Sequence, residues 1–322
     1  MIPTLDPSVG GVAPAMLGLS RGLRGRGHEV DIVALDSPSA NWLSSNDLTV
    51  HGTGPGLTAY GYSSELDRWL KKHGDNYDRV IVNGLWQYPG LAVWRRFAGS
   101  RTPYYVFPHG MLDPWFKRTY PLKHAKKWLY WPLAEYRIMR DAAAVIFTSE
   151  QEKVQARESF WLYRVRERVS PLGVNPPSAP SAATRSLLFE RFPQLRETQP
   201  LLFLGRLHPK KGCDLAIEGF AAVAHQYPVV SLVLAGPDQI GWQKELAHRV
   251  QERGLMSRVV FTGMMDGDLK QSALLNADAF ILPSHQENFG MAVVEALATG
   301  VPVLISDRIN TSPEILAEPV DR

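Results

Sequence analysis

The sequence predicts an α/β fold of two doubly wound parallel-sheet domains, and three observations carry that expectation. In both halves of the chain, short runs of β-branched, aliphatic and aromatic residues alternate with segments long enough to form a helix. Residues 171–200 interrupt this rhythm with six prolines and only one short helical pattern, near Leu187. The chain has 322 residues, 45% of them hydrophobic, which is enough to bury two ordinary cores. The expected boundaries are 1–172 for the first domain, 173–199 for a linker and 200–322 for the second domain.

In chain order, the first domain opens on a short segment and a glycine-containing loop, Asp6 to Gly11. A helix follows, with the stripe Val12, Met16, Leu19 and Leu23, and Gly25 and Gly27 end it. Strands are expected at 30–35, 80–82, 104–107 and 144–147, and in the second half at 201–204, 231–235, 258–262, 279–282 and 303–306. Helices are expected from Asp214, over 269–275 and over 291–299, the last stopped by Gly300 and Pro302. Two such domains facing each other would bring both sets of strand ends to a shared cleft.

Composition narrows the functional classes. The formal net charge of +3 is too small to suggest nucleic acid as a partner. A single cysteine, Cys213, allows no internal disulfide and fits a reducing compartment, so a cytoplasmic location is expected. Neither an apolar run of spanning length nor a charged-then-apolar leader is present in the sequence. No cysteine and histidine cluster suggests zinc. No G-x-G-x-x-G follows a strand with an acidic residue about twenty positions on, which disfavours a nicotinamide dehydrogenase.

Residues 283–302, PSHQENFGMAVVEALATGVP, are the most informative stretch. Pro283 ends a buried strand, and Gly290 allows an unusual backbone angle or close approach of a ligand. The helix after it aims its first N–H groups at the sheet edge, where the dipole favours phosphate or a sugar hydroxyl. Glu287 lies ahead of that helix and Glu295 inside it, so two acceptor-only groups are spaced to hold separate hydroxyls of one extended ligand. The residues equally allow an anionic cap at Glu287 and a solvated Glu295. Arg206 and Lys211 bracket the loop after strand 201–204, where they could meet the charge of a departing diphosphate or simply be solvated. His109 follows strand 104–107 in Pro108-His109-Gly110, as a site residue or a structural one. Gly10 and Gly11 let backbone amides approach phosphate, or form a plain strand-to-helix turn.

These segments resemble the retaining glycosyltransferases of family 4, which have the two-domain GT-B fold with facing Rossmann-like domains. The likeness rests on the Glu-x7-Glu segment of 283–302, on GRLHPKKGCDLAIEGF, LVLAGPD and VVFTG, and on TLDPSVGGVA, RGRGHEVDIV and PHGMLDPWF, in the family's order. The resemblance implies that Glu287 binds donor-sugar hydroxyls, that the amides of Asn288, Phe289 and Gly290 meet sugar and phosphate, and that Glu295 holds the ribose. It also implies that Arg206 and Lys211 stabilise the leaving diphosphate, that Gly10 and Gly11 contact donor phosphate or acceptor, and that His109 sits by the reacting sugar carbon without acting as a nucleophile. The expected activity is metal-independent, retaining transfer of a hexose-type sugar from a nucleotide diphosphate donor to a glycan or lipid-linked acceptor in cell-surface polysaccharide synthesis, with no cofactor. Attack on the departing face is the family's scheme, and no residue pattern here separates it from double displacement.

Asp266-Gly267-Asp268 imitates a metal-binding Asp-x-Asp, but an acidic N-cap of the following helix is the expected explanation. Residues 115–140 place seven Lys or Arg among three tryptophans and three tyrosines, which suits peripheral contact with an anionic membrane, at its inner face, or a helix packing its aromatics inward. Relatives begin with a complete first strand, whereas here residues 1–5 precede the loop, and relatives continue past the SPEIL-like segment at 312–316. A GT-B fold shortened at both ends is therefore expected, which leaves a non-catalytic nucleotide-sugar-binding or accessory protein as the alternative.

Overall fold

The computed structural model describes residues 1–44, 47–119, 121–174 and 181–317. The chain separates into two units, Met1–Gly173 and Val174–Arg322. The expected truncation at the carboxyl end concerns residues after 317, outside those described.

In the first unit β1 (Asp31–Ala34) pairs in parallel with β2 (Thr49–Gly52). A second parallel sheet runs in the order β3 (Val80–Asn83), β4 (Tyr104–Phe107), β5 (Ala144–Phe147) and β6 (Glu167–Val169). Residues 1–3 knit the two together. The Ile2 amide donates to the Val33 carbonyl at 3.0 Å and the Leu35 amide to that of Pro3 at 3.2 Å, while the Asn83 amide donates to the Met1 carbonyl at 3.0 Å. The short opening segment therefore fills a strand position between β1 and β3. Strands β2 and β6 were not expected from sequence, because Thr49-Val-His-Gly and Glu167-Arg-Val carry no apolar run. They sit at sheet edges with no fully buried residue, where polar side chains are tolerated.

The second unit is a parallel sheet in the order β11 (Val303–Ile305), β10 (Ala279–Leu282), β7 (Gln199–Leu204), β8 (Val230–Ala235) and β9 (Val259–Gly263). The chain winds outward from β7 through β8 to β9 and then crosses to the other side of β7 for β10. The strand order thus reverses between β7 and β10, and loops leaving their carboxyl ends diverge into a crevice. Leu202, Phe203, Leu232, Val233, Leu234 and Phe280 are buried because both sheet faces are covered by helices.

The expected linker, 173–199, is corrected by this unit. Helix Ala182–Arg191 packs on helix Gly267–Leu275, and the Leu188 amide donates to Ser272 Oγ at 3.0 Å. Leu188 and Leu195 lie in the core of the second unit. The prolines misled, because Pro193 begins a 3₁₀ turn where a missing N–H costs nothing. Residues 175–180 of that expected linker lie outside the described residues.

Candidate functional site

Lys211 and Glu287 meet at the crevice between β7 and β10. The loop after β7 runs Gly205 to Gly212 and closes on a 3₁₀ turn, Pro209–Lys211. His208 Nδ1 accepts from the Lys210 amide at 3.1 Å. Burial first, then the charges of Arg206, Lys210 and Lys211, lower the His208 pKa and keep the ring a neutral acceptor. Gly212 takes φ 70°, and a Cβ there would overlap the carbonyl oxygen of Pro283, so only glycine lets the two loops lie this close. The His285 amide then donates to the Lys210 carbonyl at 2.9 Å, which ties the loops together.

The Lys211 ammonium donates to Glu287 Oε2 in an ion pair of two mostly buried side chains. Glu287 is held through its backbone as well. Its amide donates to the Arg308 carbonyl and its carbonyl accepts from the Asn310 amide, both at 3.0 Å. Burial pushes its carboxyl up, but the charge and hydrogen bond of Lys211, the charge of Lys210 and the Asn288 amide outweigh burial and hold it below the usual carboxylate range. An ionised Glu287 is thus the resting form. Just beyond it, the carbonyl of buried Phe289 accepts from Thr311 Oγ1 at 2.8 Å. Gly290, at φ 75°, turns the chain into helix Met291–Ala298.

The remaining expected residues of this unit occupy different positions around the pair. Arg206 is exposed, and its Nη1 donates to Gln239 Oε1 at 3.3 Å, so it lies on the β8 side of the loop. Asn288 directly follows Glu287 and is half-buried. Glu295 is neither solvated nor near Lys211: its Oε1 accepts from Lys270 Nζ, on helix Gly267–Leu275, at 2.8 Å. Each glutamate of the pair therefore has a lysine of its own. Asp266 stands at the N-cap of that same helix, but its side chain makes no capping hydrogen bond, which corrects the expected reason for the acidic pair. Among the described residues no group of three His, Cys, Asp or Glu is arranged to hold a metal ion.

His109 and the Gly10-Gly11 loop belong to the first unit. His109 is held at φ 50°, a costly backbone angle for a residue with a Cβ. Its ring stacks on Phe107 with centroids 5.6 Å apart, and Nε2 lies 2.9 Å from Asn83 Oδ1. Asn83 Nδ2 donates to the Met1 carbonyl at 3.1 Å, so Oδ1 is the atom facing the ring; His109 Nε2 carries the proton and Nδ1 is the acceptor. Burial lowers the His109 pKa to about 4, which keeps the imidazole neutral. Gly10 has φ 138° and Gly11 caps helix Val12–Arg24. Asp36 fixes the loop before them, accepting from the Leu5 amide at 2.7 Å and from Thr4 Oγ1 at 2.6 Å.

Three residues important here were not anticipated. Asn83 orients His109. Buried Glu152 accepts from the Gly110 amide and the Thr148 amide, both at 2.6 Å, and from Thr148 Oγ1 at 2.7 Å, so it clamps the His109 loop to the end of β5. The signal was available as Ser149-x-x-Glu152, a capping pattern; Ser149 does cap the Glu152 amide at 3.1 Å, but the glutamate reaches across to the neighbouring loop instead of back to Ser149. Buried Glu135 accepts from the amide of Trp86, itself at φ 70°, at 2.7 Å, and burial raises the Glu135 pKa to about 7.

Comparison with known proteins agrees with this architecture. The family described as Glycosyl transferase 4-like domain matches residues 10–173, and that described as Glycosyl transferases group 1 matches residues 189–321. Mannosylfructose-phosphate synthase of Agrobacterium fabrum is 30% identical over 256 residues, covering 74% of this chain and 55% of that protein. The chain thus spans about half the length of that relative. HepE of Anabaena, solved in complex with UDP and glucose, superposes with a TM-score of 0.72 at 18% identity, over 99% of this chain and 82% of that one. Sucrose-phosphate synthase of Thermosynechococcus elongatus gives 0.71 at 22% identity, over 97% and 81%. These likenesses show a GT-B fold class of two Rossmann-like units.

Proposed function

The chain belongs to the family 4-like, group 1 glycosyltransferases, and from that premise we propose that it is a retaining, metal-independent transferase moving a hexose-type sugar from a nucleotide diphosphate donor to a glycan or lipid-linked acceptor in cell-surface polysaccharide synthesis. One observation carries the proposal: an ionised Glu287 is paired with Lys211 where the strand order reverses, directly before a helix N-terminus. That arrangement offers a sugar an acceptor-only carboxylate and offers a diphosphate an ammonium and helix amides at the same edge.

In this mechanism the donor diphosphate draws Lys211, and the Glu287 carboxylate turns its lone pairs to the sugar hydroxyls. Arg206, exposed on the β8 side, reaches the same anion as negative charge grows on the leaving group. Amides of Asn288, Phe289 and Gly290 orient sugar and phosphate, and Glu295, once it exchanges Lys270 for a diol, holds the ribose. Gly10 and Gly11 contact donor phosphate or acceptor, and neutral His109 contacts the donor sugar. Fixed cations and peptide dipoles do the work of an ion, and no further cofactor takes part. HepE and sucrose-phosphate synthase supply the precedent for sugar chemistry on this fold.

The test is release of nucleotide from UDP- and GDP-sugars with and without a chelator. Turnover that survives chelation and falls by about a hundredfold or more in Glu287→Ala supports the proposal. Donor binding without turnover across an acceptor screen would replace it with a binding or accessory role, and turnover abolished by the chelator would remove metal independence.

A further inference from the structure

We propose that helix Pro121–Tyr130, with the π-helical turn Trp131–Glu135 that continues it, is a docking surface for an anionic lipid bilayer. The residues divide the helix into two faces. His124 and Trp131 turn inward, and their rings stack on Phe160 with centroids 4.8 Å and 4.3 Å away. Trp131 and Tyr136 are buried, and the Tyr130 hydroxyl lies 2.6 Å from that of Tyr60. Most aromatics of this segment therefore belong to the interior, and they do not form the interfacial belt that their interleaving with lysines suggested.

The outward face is aliphatic instead. Leu122, Leu129 and Leu133 follow helical spacing and are 83%, 75% and 67% exposed. Trp128 and Trp161, also exposed, pair at its flank with ring centroids 5.8 Å apart. Single exposed leucines are ordinary, but three on one helix face with Lys126 between the first two, beside a tryptophan pair, form a mixed apolar and basic surface of the kind that marks an interaction site.

Charge selects the occupant. Residues 115–134 contain five Lys or Arg and no Asp or Glu. Lys126 is exposed within the stripe, Lys117 and Lys123 are exposed in the same segment, and the next carboxyl along the chain, Glu135, is buried. An apolar helix face whose own segment, residues 115–134, carries cations and no acid complements acyl chains beneath a layer of phosphate, whereas a protein partner would need a matching concentration of acid around a groove. The surface shares no residue with the donor loops, so its test is separate from turnover.

The experiment is flotation of the full 322-residue chain with vesicles of phosphatidylcholine alone, or containing about a third phosphatidylglycerol, at low and high salt. The expected result is binding to the anionic vesicles only, weakened by salt, with a blue shift of tryptophan fluorescence. Binding falls about tenfold or more in the combined Leu122→Ser, Leu129→Ser, Leu133→Ser variant and in Lys123→Glu with Lys126→Glu, while melting temperature and nucleotide release are unchanged. No flotation at low salt, or flotation that the serine variant retains, overturns the proposal. A dimer that the serine variant abolishes, with no vesicle binding, also overturns it and assigns the face to a second copy of the chain.

Discussion

The two units equip their strand ends in opposite ways. In the second unit the loops after β7 and β10 carry full charges, and Lys211 and Glu287 satisfy each other as an ion pair. In the first unit the loop after β4 carries a histidine kept neutral by burial, held by Asn83, by stacking on Phe107 and by a backbone angle that costs energy. An ion pair can be exchanged for a ligand when each partner is satisfied again, the ammonium by an anionic diphosphate and the carboxylate by hydroxyl donors. A neutral group contributes through position alone, and its position must be built before any ligand arrives. The difference teaches that removing a partner should act on the second unit through charge and on the first through geometry.

The largest break falls on the junction that makes the ion pair possible. In Gly212→Ala the new Cβ collides with the Pro283 carbonyl at φ 70°, so the two loops must part. A loss of about 3–5 kcal/mol of stability is expected, together with loss of donor binding, checked by chemical denaturation and by titration with UDP-sugar. If Gly212→Ala melts like the parent, loop contact is not what assembles the pair.

A smaller effect sharpens the other side. Glu152→Ala strands the Gly110 amide and both Thr148 donors in the interior and should cost about 2–4 kcal/mol. Glu152→Gln keeps an acceptor oxygen and should recover about half of that loss. In folded protein a misplaced His109 loop lowers kcat more than it raises KM, since it disturbs orientation and leaves the donor loops intact. Equal losses in Glu152→Ala and Glu152→Gln would point to charge and against positioning.

The smallest effect is a pH dependence. The His109 pKa falls from 6.5 to about 4 on folding, so between those values the unfolded chain binds the extra proton and stability declines as pH drops, by up to about 3 kcal/mol. Glu287, lowered by Lys211 against its burial, contributes stability at neutral pH that is lost only under more acidic conditions. His109→Asn should therefore remove the histidine's contribution to the urea-unfolding profile between its two values, leaving the opposing contribution of Glu135, whose raised pKa favours the folded state as pH falls, and the acid limb in place. An unchanged slope in that variant would show that His109 is not the titrating group.

Much of this was legible before any coordinates. Central strands such as 104–107, 144–147 and 279–282 were found because strands covered on both faces are continuously apolar. Edge strands β2 and β6 were missed because half-exposed strands lack that run. Glu287 and Lys211 were named from their places after strands, yet their pairing was not foreseen, because they lie far apart in sequence and only the order of β7 and β10 makes them neighbours. Glu295 shows the same limit: its helix was evident, and its partner Lys270 was not.

The sequence by itself determined the alternation of strands and helices, the family, and the residues that carry charge at the loops, because periodicity, glycine placement and residue type are local properties. Only the tertiary structure decided which of those residues meet, that residues 182–195 belong to the second core, that Glu152 holds the His109 loop, and that Leu122 and Leu129 with Trp128 are exposed on helix Pro121–Tyr130 while Trp131 and Tyr136 after it are buried. Those outcomes depend on which strands lie side by side and which helix face is covered, and both are set by packing across the whole chain.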